Sequence, residues 1–333
     1  MKALVYTANQ EMTYREEPIP QPEPGDALVA IESVGICGSD MHAYLGHDER
    51  RVPPLILGHE AVGTVIEGSR PGEKVVLNPL ITCGVCTDCL AGRQNLCADR
   101  DLIGMYRAGA FAEQIVIPER NLIPVPPDMN AAKAALTEPG ATGLHAVLLA
   151  ERASARPISE ARALVLGAGS VGLLTALILQ DKGVTRVDLA ETNALRRKTI
   201  EMHTNCRVFD PLQSAPETAG YELVFDAVGN SITRQSSIAS VCSGGVIVHI
   251  GLIDNKGEMD VRAMTLREIT FIGSYTYTPV DLKRTLEKLY SGALGSLEWV
   301  EQRPLAQGAR AFDELNNGLC AAPKIVLNVA SPG

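Results

Sequence analysis

Four of the eight cysteines lie within fifteen positions, in the segment CGVCTDCLAGRQNLC at 83–97. Thiolates two residues apart can bind one metal ion from adjacent corners, and a fourth thiolate completes a tetrahedron. A shell of four thiolates leaves no open coordination position, so the spacing predicts a structural zinc site at Cys83, Cys86, Cys89 and Cys97. The alternatives are an iron–sulfur cluster, which the seven-residue last gap disfavours, a nucleic-acid-binding zinc ribbon, and four thiols without metal.

A second set of metal-binding side chains is spread over three short segments: GICGSDMH at 35–42, GHEAVG at 58–63 and LTEPGATGLH at 136–145. Together they offer one thiolate, one imidazole and two carboxylates, each next to Gly or Pro. An open catalytic zinc needs about three protein ligands, with water or substrate in the remaining position. Cys37 and His59 are therefore the first candidate ligands, and Glu60 or Glu138, or each at a different stage, completes the set.

A glycine-rich turn after an apolar strand fills the pattern G-x-G-x-x-G with Gly167, Gly169 and Gly172. The first glycine permits a tight turn, the second lets the backbone approach a pyrophosphate, and the third lets the following helix pack against the strand. The start of that helix, with Ser170 and Val171, presents free N–H groups and a partial positive charge to the phosphates. The turn therefore predicts a dinucleotide-binding site.

An acidic residue, Glu191, follows Gly172 after nineteen positions, at the end of the next predicted strand. A carboxylate there accepts hydrogen bonds from the ribose hydroxyls of NAD and would repel the 2′-phosphate of NADP. The alternative is a solvated turn residue. Arg196 and Arg197 on the following predicted helix would favour NADP, but Glu191 occupies the place of the phosphate. We therefore predict NAD as the cofactor and include Arg196 among the residues that bind it.

Short strands broken by turns are predicted for the first third of the chain, which is typical of a β-rich, barrel-like domain. These strands are at 3–6, 27–34, 63–67, 74–77 and 111–117. From 163 onward strands alternate with helices, which predicts a parallel sheet covered by helices on both faces. The strands of this part are at 163–166, 186–190, 207–209, 223–226 and 245–250, and the helices at 171–182, 193–202 and 232–241. A helix at 279–291 and a strand at 324–329 complete the chain.

The whole chain has 333 residues, 46% of them apolar, which is more than one hydrophobic core usually supports. Its net charge of −9 argues against a nucleic-acid partner, because such proteins need clustered Lys and Arg to neutralise phosphates. The longest apolar stretch, at 163–179, contains three glycines and is interpreted as strand, turn and helix, not as a membrane span. No signal peptide is recognisable, and we expect a cytoplasmic protein without a membrane partner.

These motifs, in this order and at these separations, resemble the zinc-containing medium-chain dehydrogenases, in the branch of the sorbitol (polyol) and threonine dehydrogenases. The likeness covers nearly the whole length and rests on ICGSDMH, GHEAVG, the four-cysteine segment, LTEPGATGLHA and LGAGSVG. It implies a GroES-like β-barrel catalytic domain at 1–142, with its structural zinc lobe at about 80–100. It further implies a Rossmann NAD-binding domain at 143–277, and a return to the catalytic domain at 278–333. A homodimer or homotetramer built through the nucleotide domains is also implied.

The resemblance assigns roles by position, with Cys37, His59 and Glu60 matching the ligands of the catalytic zinc. Glu138 stands where liver-type alcohol dehydrogenases have a Cys ligand and polyol dehydrogenases have a Glu, which favours polyol-like or sugar-acid-like substrates. Ser39 matches the hydroxyl residue that contacts the substrate oxygen, and His42 matches a residue that carries the proton towards solvent. For His47 and His145 we expect a surface and a structural role.

The implied reaction is the oxidation of a secondary alcohol on a small polar substrate to a ketone, with zinc acidifying the hydroxyl as a zinc alkoxide and NAD accepting the hydride. A threonine, amino-alcohol or short-chain alcohol dehydrogenase is an alternative. Two alternatives of other classes are a zinc-free NADPH reductase and a non-catalytic NAD-binding protein. Thr276, in the segment GSYTY, stands where sorbitol dehydrogenase-like chains have Arg, which makes sorbitol itself a doubtful substrate.

Overall fold

The first third of the chain folds into short, mostly antiparallel strands, as its turn-rich sequence predicts. The computed structural model describes residues 1–329. The strands of this part are β1 (Lys2–Ala8), β2 (Glu11–Glu16), β3 (Asp26–Gly35), β4 (Leu55–Ile56), β5 (Glu60–Glu67), β6 (Lys74–Leu77), β7 (Leu80–Ile81), β8 (Asp101–Leu102), β9 (Gln114–Pro118) and β10 (Leu122–Pro124). Its helices are α1 (Gly38–Tyr44), α2 (Thr87–Leu90) and α3 (Ala131–Ala134), with 3-10 turns at Gln94–Leu96 and Glu119–Asn121.

Strand β3 is the centre of this part because both of its edges are paired. One edge pairs with β5, while the other pairs with β9 along its N-terminal half. Alternate side chains of β3 are buried, so one face of the strand packs into an apolar core with β1 and β5. The last residue of β3, Gly35, lies opposite Glu60, the first residue of β5. Strand β5 thus begins three residues earlier than predicted.

The predicted strand at 111–117 begins only at Gln114. Phe111 instead accepts a hydrogen bond from the backbone N–H of Leu4 and donates its own N–H to the carbonyl of Leu57. The backbone before Gln114 therefore joins the strands of the smaller sheet, in the order β2-β1-β4, before it reaches β3. Such a change of partner depends on distant segments and leaves no periodic signal in the local sequence.

The middle of the chain forms a six-stranded parallel sheet, with a helix between consecutive strands except between the third and the fourth. The helix α4 (Thr137–Ala153) leads into it, and the elements that follow are β11 (Arg162–Leu166), α5 (Ser170–Asp181), β12 (Arg186–Ala190), α6 (Ala194–His203), β13 (Arg207–Phe209), β14 (Tyr221–Asp226), α7 (Ser231–Ser240), β15 (Val241–His249), α8 (Val261–Leu266) and β16 (Thr270–Gly273), with a 3-10 turn at Ile158–Glu160. The strand order is β13-β12-β11-β14-β15-β16. The order reverses between β11 and β14, and ligands of such sheets bind in the crevice beyond the carboxyl ends of the strands at that point.

The last segment of the chain adds two strands to the sheet that contains β3 and β5. Its elements are α9 (Pro279–Tyr290), β17 (Val300–Pro304), a 3-10 turn at Leu305–Gln307, α10 (Gly308–Asn316) and β18 (Lys324–Asn328). Strand β18 pairs with the end of β3, beside the first candidate ligand, Cys37. The pairing of β18 with β3 agrees with the predicted return to the first part of the chain near 278. The division of the chain near 142 and 278 stays a prediction. Helix α4 runs continuously across position 142. Within residues 1–329, none of the helices combines the length and the apolar character needed to cross a membrane.

Candidate active site

The fold brings Cys37, His59 and Glu60 together, and their ligand atoms all lie within 4.8 Å of one another. Cys37 caps the N-terminus of α1 after β3, and the other two stand at the start of β5, so the pairing of β3 with β5 creates the group. His59 and Glu60 are buried, whereas Cys37 is half-buried. A thiolate, an imidazole and a carboxylate form a donor set that suits zinc and leaves a coordination position open.

Asp40 lies behind His59 and was not predicted from the sequence. Its carboxylate accepts the N–H of Cys37 at 3.0 Å and that of Gly58 at 3.4 Å, and its Oδ1 lies 3.4 Å from Nδ1 of His59. A carboxylate at one ring nitrogen leaves the other, Nε2, for a metal. Burial raises the pKa of Asp40, but the charges of His59 and Arg51 and the hydrogen bond from the N–H of Cys37 together lower it below its usual value. For His59, burial lowers the pKa, but Asp40 and Cys37 raise it well above its usual value.

Glu60 forms an ion pair with Lys324 that is closed to solvent. Nζ of Lys324 lies 2.8 Å and 2.6 Å from the two carboxylate oxygens and donates a further bond to the carbonyl of Ile36 at 2.7 Å. Burial lowers the pKa of Lys324, but the charge and hydrogen bonds of Glu60, together with the charges of Cys37 and Glu138, raise that pKa above its usual value. A Cβ at Gly35 would stand 2.0 Å from Oε2 of Glu60, so only glycine leaves room for the carboxylate across the strand pair.

Glu138 lies near the three-residue group but outside it, in the first turn of α4. The hydroxyl of Tyr277 donates to its Oε1 at 2.8 Å, and both side chains are buried. Burial raises the pKa of Glu138, the charge of His59 opposes this and that of Glu60 adds to it, giving a pKa of about 7. The assignment of Glu60 or Glu138 as a zinc ligand stays a prediction. Glu60 is bonded to Lys324, and Glu138 is bonded to Tyr277.

The proton-carrying residues predicted from the resemblance both lie on α1. Oγ of Ser39 lies 3.4 Å from Nε2 of His59. Half-buried His42 has its pKa lowered by burial and by the neighbouring His47, so its imidazole is neutral at neutral pH. His47 is exposed, and His145 on α4 is buried with its Nδ1 2.8 Å from Asp281, so both have the surface and structural places predicted for them.

The four clustered cysteines converge as their spacing predicts, with all four sulfur atoms within 4.8 Å of one another. Sγ of Cys83 lies 3.9 Å from that of Cys89 and 3.6 Å from that of Cys97. The backbone N–H groups of Val85 and Cys86 point at the Cys83 sulfur and lower its pKa to about 7, which favours the thiolate. Four converging sulfurs, one of them readily ionised, fit a tetrahedral structural zinc.

The glycine-rich turn has the geometry that a bound pyrophosphate requires. Gly167 has a φ of +90°, and a Cβ at Gly172 would stand 1.9 Å from the carbonyl oxygen of Gly167, so neither position accepts a side chain without strain. Gly169 caps the N-terminus of α5, and a Cβ built on it would meet nothing within 4 Å. This open space before a helix N-terminus fits a phosphate group.

Glu191 lies beside this turn at the end of β12 and is buried. Its Oε2 accepts the N–H of Ala168 at 3.0 Å and a guanidinium N–H of Arg196 at 3.1 Å, while its Oε1 accepts the N–H of Asn193 at 2.8 Å. The carboxylate is thus fixed beside Ala168, which lies between the first two glycines of the turn, where a ribose would lie. Arg196 contacts the cofactor crevice through Glu191, which supports the prediction for both residues.

Gly169→Ala tests the crevice, because the added methyl group would occupy only the open space. We expect this variant to melt within about 2 °C of the unchanged protein and to bind NADH at least about ten-fold more weakly, as measured by calorimetric titration. Gly172→Ala is the contrasting variant, and it should melt at a lower temperature because its Cβ meets backbone. Unchanged NADH affinity in Gly169→Ala would remove this crevice as the pyrophosphate site.

Comparisons with known proteins agree with this geometry. The chain matches the model of the alcohol dehydrogenase GroES-like domain at residues 23–127 and that of zinc-binding dehydrogenase at residues 170–291. It is 30% identical to the L-galactonate-5-dehydrogenase of Escherichia coli strain K12, covering 95% of this chain and 96% of that protein. It is 32% identical to an L-threonine 3-dehydrogenase of Chelativorans sp. strain BNC1, covering 83% of each. A zinc-binding dehydrogenase from Sinorhizobium meliloti 1021, solved with NADP, superimposes with a TM-score of 0.87 at 28% identity over 98% of each chain.

Proposed function

Because the chain belongs to the zinc-binding dehydrogenase family with an alcohol dehydrogenase GroES-like domain, we propose that it oxidises a secondary alcohol of a polyol or sugar acid to a ketone, with NAD as the acceptor. The observation that carries the proposal is the convergence of Cys37, His59 and Glu60, with the carboxylate of Glu138 beside them. The relative that acts on L-galactonate, a sugar acid, supports the substrate class.

The residues of the chain have separate tasks in this reaction. Zinc held by Cys37 and His59, with Glu60 or Glu138, would supply a Lewis acid that lowers the pKa of an alcohol hydroxyl. Asp40, whose Oδ1 lies 3.4 Å from Nδ1 of His59, would attract the charge of that imidazole when zinc is bound at Nε2. Ser39 lies within reach of His59 and contacts the substrate oxygen, and neutral His42 can accept the proton on its way to solvent.

NAD is the proposed cofactor because of Glu191. The solved neighbour from Sinorhizobium meliloti carries NADP, so family membership alone does not decide between the two cofactors. In this chain a buried carboxylate stands beside the glycine turn, and it would repel a 2′-phosphate. Arg196 does not reverse this preference, because its guanidinium is already paired with Glu191 at 3.1 Å.

An amino alcohol is the second candidate substrate, and the threonine dehydrogenase relative at 32% identity favours it. Thr276 also bears on the choice, because it stands where polyol dehydrogenases have Arg and precedes Tyr277, which contacts Glu138. The Oγ1 atom of Thr276 is buried and has no hydrogen-bond partner among residues 1–329. A site without the arginine suits a substrate other than sorbitol.

The proposal is tested by following NAD reduction by absorbance across polyols, sugar acids and amino alcohols, each with and without a metal chelator. We expect turnover on sugar acids or related polyols, loss of that turnover with the chelator, and a strong preference for NAD over NADP. Turnover on threonine alone would select the second candidate. Protein that contains two zinc ions per chain and reduces NAD with no member of the panel would contradict the proposed substrate classes.

A homodimer or homotetramer is proposed through the nucleotide-binding part. Strand β16 is an edge strand of the parallel sheet. Exposed apolar side chains lie on the segments around it: Leu252, Ile253, Val261 and Leu266. A second copy would cover them, and sedimentation velocity would show its mass.

A further inference from the structure

Arg51 is a buried cation beside the candidate active site that has no part in the zinc or cofactor sites described above. Its side chain is 1% exposed, although it lies in the loop between α1 and β4, next to exposed Arg50. Nε donates to the carbonyl of Gly104 at 2.8 Å, Nη1 to Oδ2 of Asp48 at 2.5 Å, and Nη2 to Oγ of Ser39 at 3.3 Å. A buried guanidinium is costly unless it is paired, and here each of its three nitrogens has a partner.

The contact with Ser39 restricts what that hydroxyl can do. A serine hydroxyl has one proton to donate and two lone pairs to accept with, whereas arginine only donates. Oγ of Ser39 must therefore accept from Arg51, which leaves its own proton and one lone pair for the other side. That other side is where Nε2 of His59 lies, 3.4 Å away, and hence where the oxygen of a substrate would stand.

The same guanidinium also holds the surrounding backbone. Gly104, whose carbonyl accepts from Arg51, packs directly against Gly58, so that a Cβ there would stand 3.0 Å from the Gly58 carbonyl oxygen. Gly58 precedes His59 in the chain. Arg51 therefore connects the helix that carries Ser39 with the loop packed against Gly58, the residue before His59.

We propose that Arg51 is a positioning residue that orients the Ser39 hydroxyl towards the oxygen of the substrate alcohol. This inference rests on the proposed function. A residue with this role lowers the barrier by preorganisation, because the hydroxyl need not turn when the substrate binds. A residue that only supports the fold would lower kcat by the same factor whether or not Ser39 is present.

The matched variants are Arg51→Met and Arg50→Met. Arg50 has the same charge and also bonds to Asp48, at 2.8 and 2.9 Å, but has no contact with Ser39. On the best substrate of the panel, we expect Arg51→Met to lower kcat at least about ten-fold, with zinc content and KM for NAD nearly unchanged, when it is assayed well below its melting temperature, which should fall because Asp48 and the Gly104 carbonyl lose a buried partner. Arg50→Met should keep kcat, and free guanidinium should partly restore the activity of Arg51→Ala.

A double-mutant cycle with Ser39→Ala decides whether Arg51 acts through Ser39. We expect Arg51→Met to cost at least about ten-fold beside Ser39 and less than about two-fold in the Ser39→Ala background, which is the coupling of residues that act as one unit. Equal losses in the two backgrounds would overturn the proposal. So would equal losses of kcat in Arg51→Met and Arg50→Met.

The orientation of Ser39 can also be tested without turnover. The measurement is the affinity of the zinc-loaded protein with NAD for trifluoroethanol, an alcohol that resists oxidation. Weaker binding by at least about three-fold in Arg51→Met, but not in Arg50→Met, supports the orientation of Ser39. Equal binding by the two variants contradicts it. Because this measurement needs no reaction, a protein that oxidises nothing in the panel would fail the proposed function and would still give an answer for Arg51.

Discussion

Replacing Cys37 with Ala is expected to lower kcat/KM at least about a thousand-fold, while NADH binds within about two-fold of its affinity for the unchanged protein. The sulfur is the one thiolate of the candidate catalytic group, because the four other clustered cysteines form their own group. Without the thiolate, zinc would keep His59 and two carboxylates, and the carboxylate of Glu60 is already bonded to Lys324. The glycine turn that would bind the pyrophosphate begins at Gly167, after a strand of a different sheet.

Zinc analysis and calorimetric NADH titration check this result, and the variant should lose one zinc ion and keep the other. Cys242→Ala is the control for the loss of a thiol, because Cys242 is half-buried and lies outside both cysteine-containing groups. That control should keep its activity and both metal ions. Turnover close to normal in Cys37→Ala would remove the candidate catalytic site, even if the family assignment stands.

The family and the fold class are confirmed: a Rossmann sheet joined to a GroES-like domain. Several strand boundaries agree with their predictions to the residue, such as β6 (Lys74–Leu77) and β12 (Arg186–Ala190). In both strands an apolar run is flanked by turn residues, so the local sequence is enough to predict where the strand begins and ends. The beginnings of β5 and β9 were missed because they depend on which distant strand pairs with them.

The candidate ligands were also predictable, but the residues that hold them were not. The short motifs next to Gly or Pro can be recognised in the sequence, and they contain Cys37, His59 and Glu138. Lys324 is 264 positions from Glu60, and its residue type alone predicts an exposed cation. Asp40 did leave a signal, since an acid three residues after a helix cap can bond back to the cap's N–H.

The ion pair between Lys324 and Glu60 carries the second large prediction. Lys324→Met is expected to lower the free energy of unfolding by about 3–5 kcal/mol, because it leaves a charged carboxylate buried without a partner. Both carboxylate oxygens of Glu60 bond to Nζ, and the two side chains are 0% and 1% exposed, so water cannot replace the lysine. The measurement is urea unfolding, with the loss read from the midpoint at constant slope.

The penalty comes from the unpaired charge and not from the lost attraction, so a second substitution should reverse much of it. Glu60→Gln added to Lys324→Met removes the charge, and the double variant should be more stable than the single one by about 2 kcal/mol or more. Lys182→Met is the matched control, because Lys182 also bonds to both oxygens of a glutamate, Glu151, but does so at the surface. Its cost should stay below about 1 kcal/mol, since exposed pairs contribute little. If Lys324→Met and Lys182→Met cost the same, or if Glu60→Gln restores nothing, the pair is not the buried, mutually dependent unit that these contacts indicate.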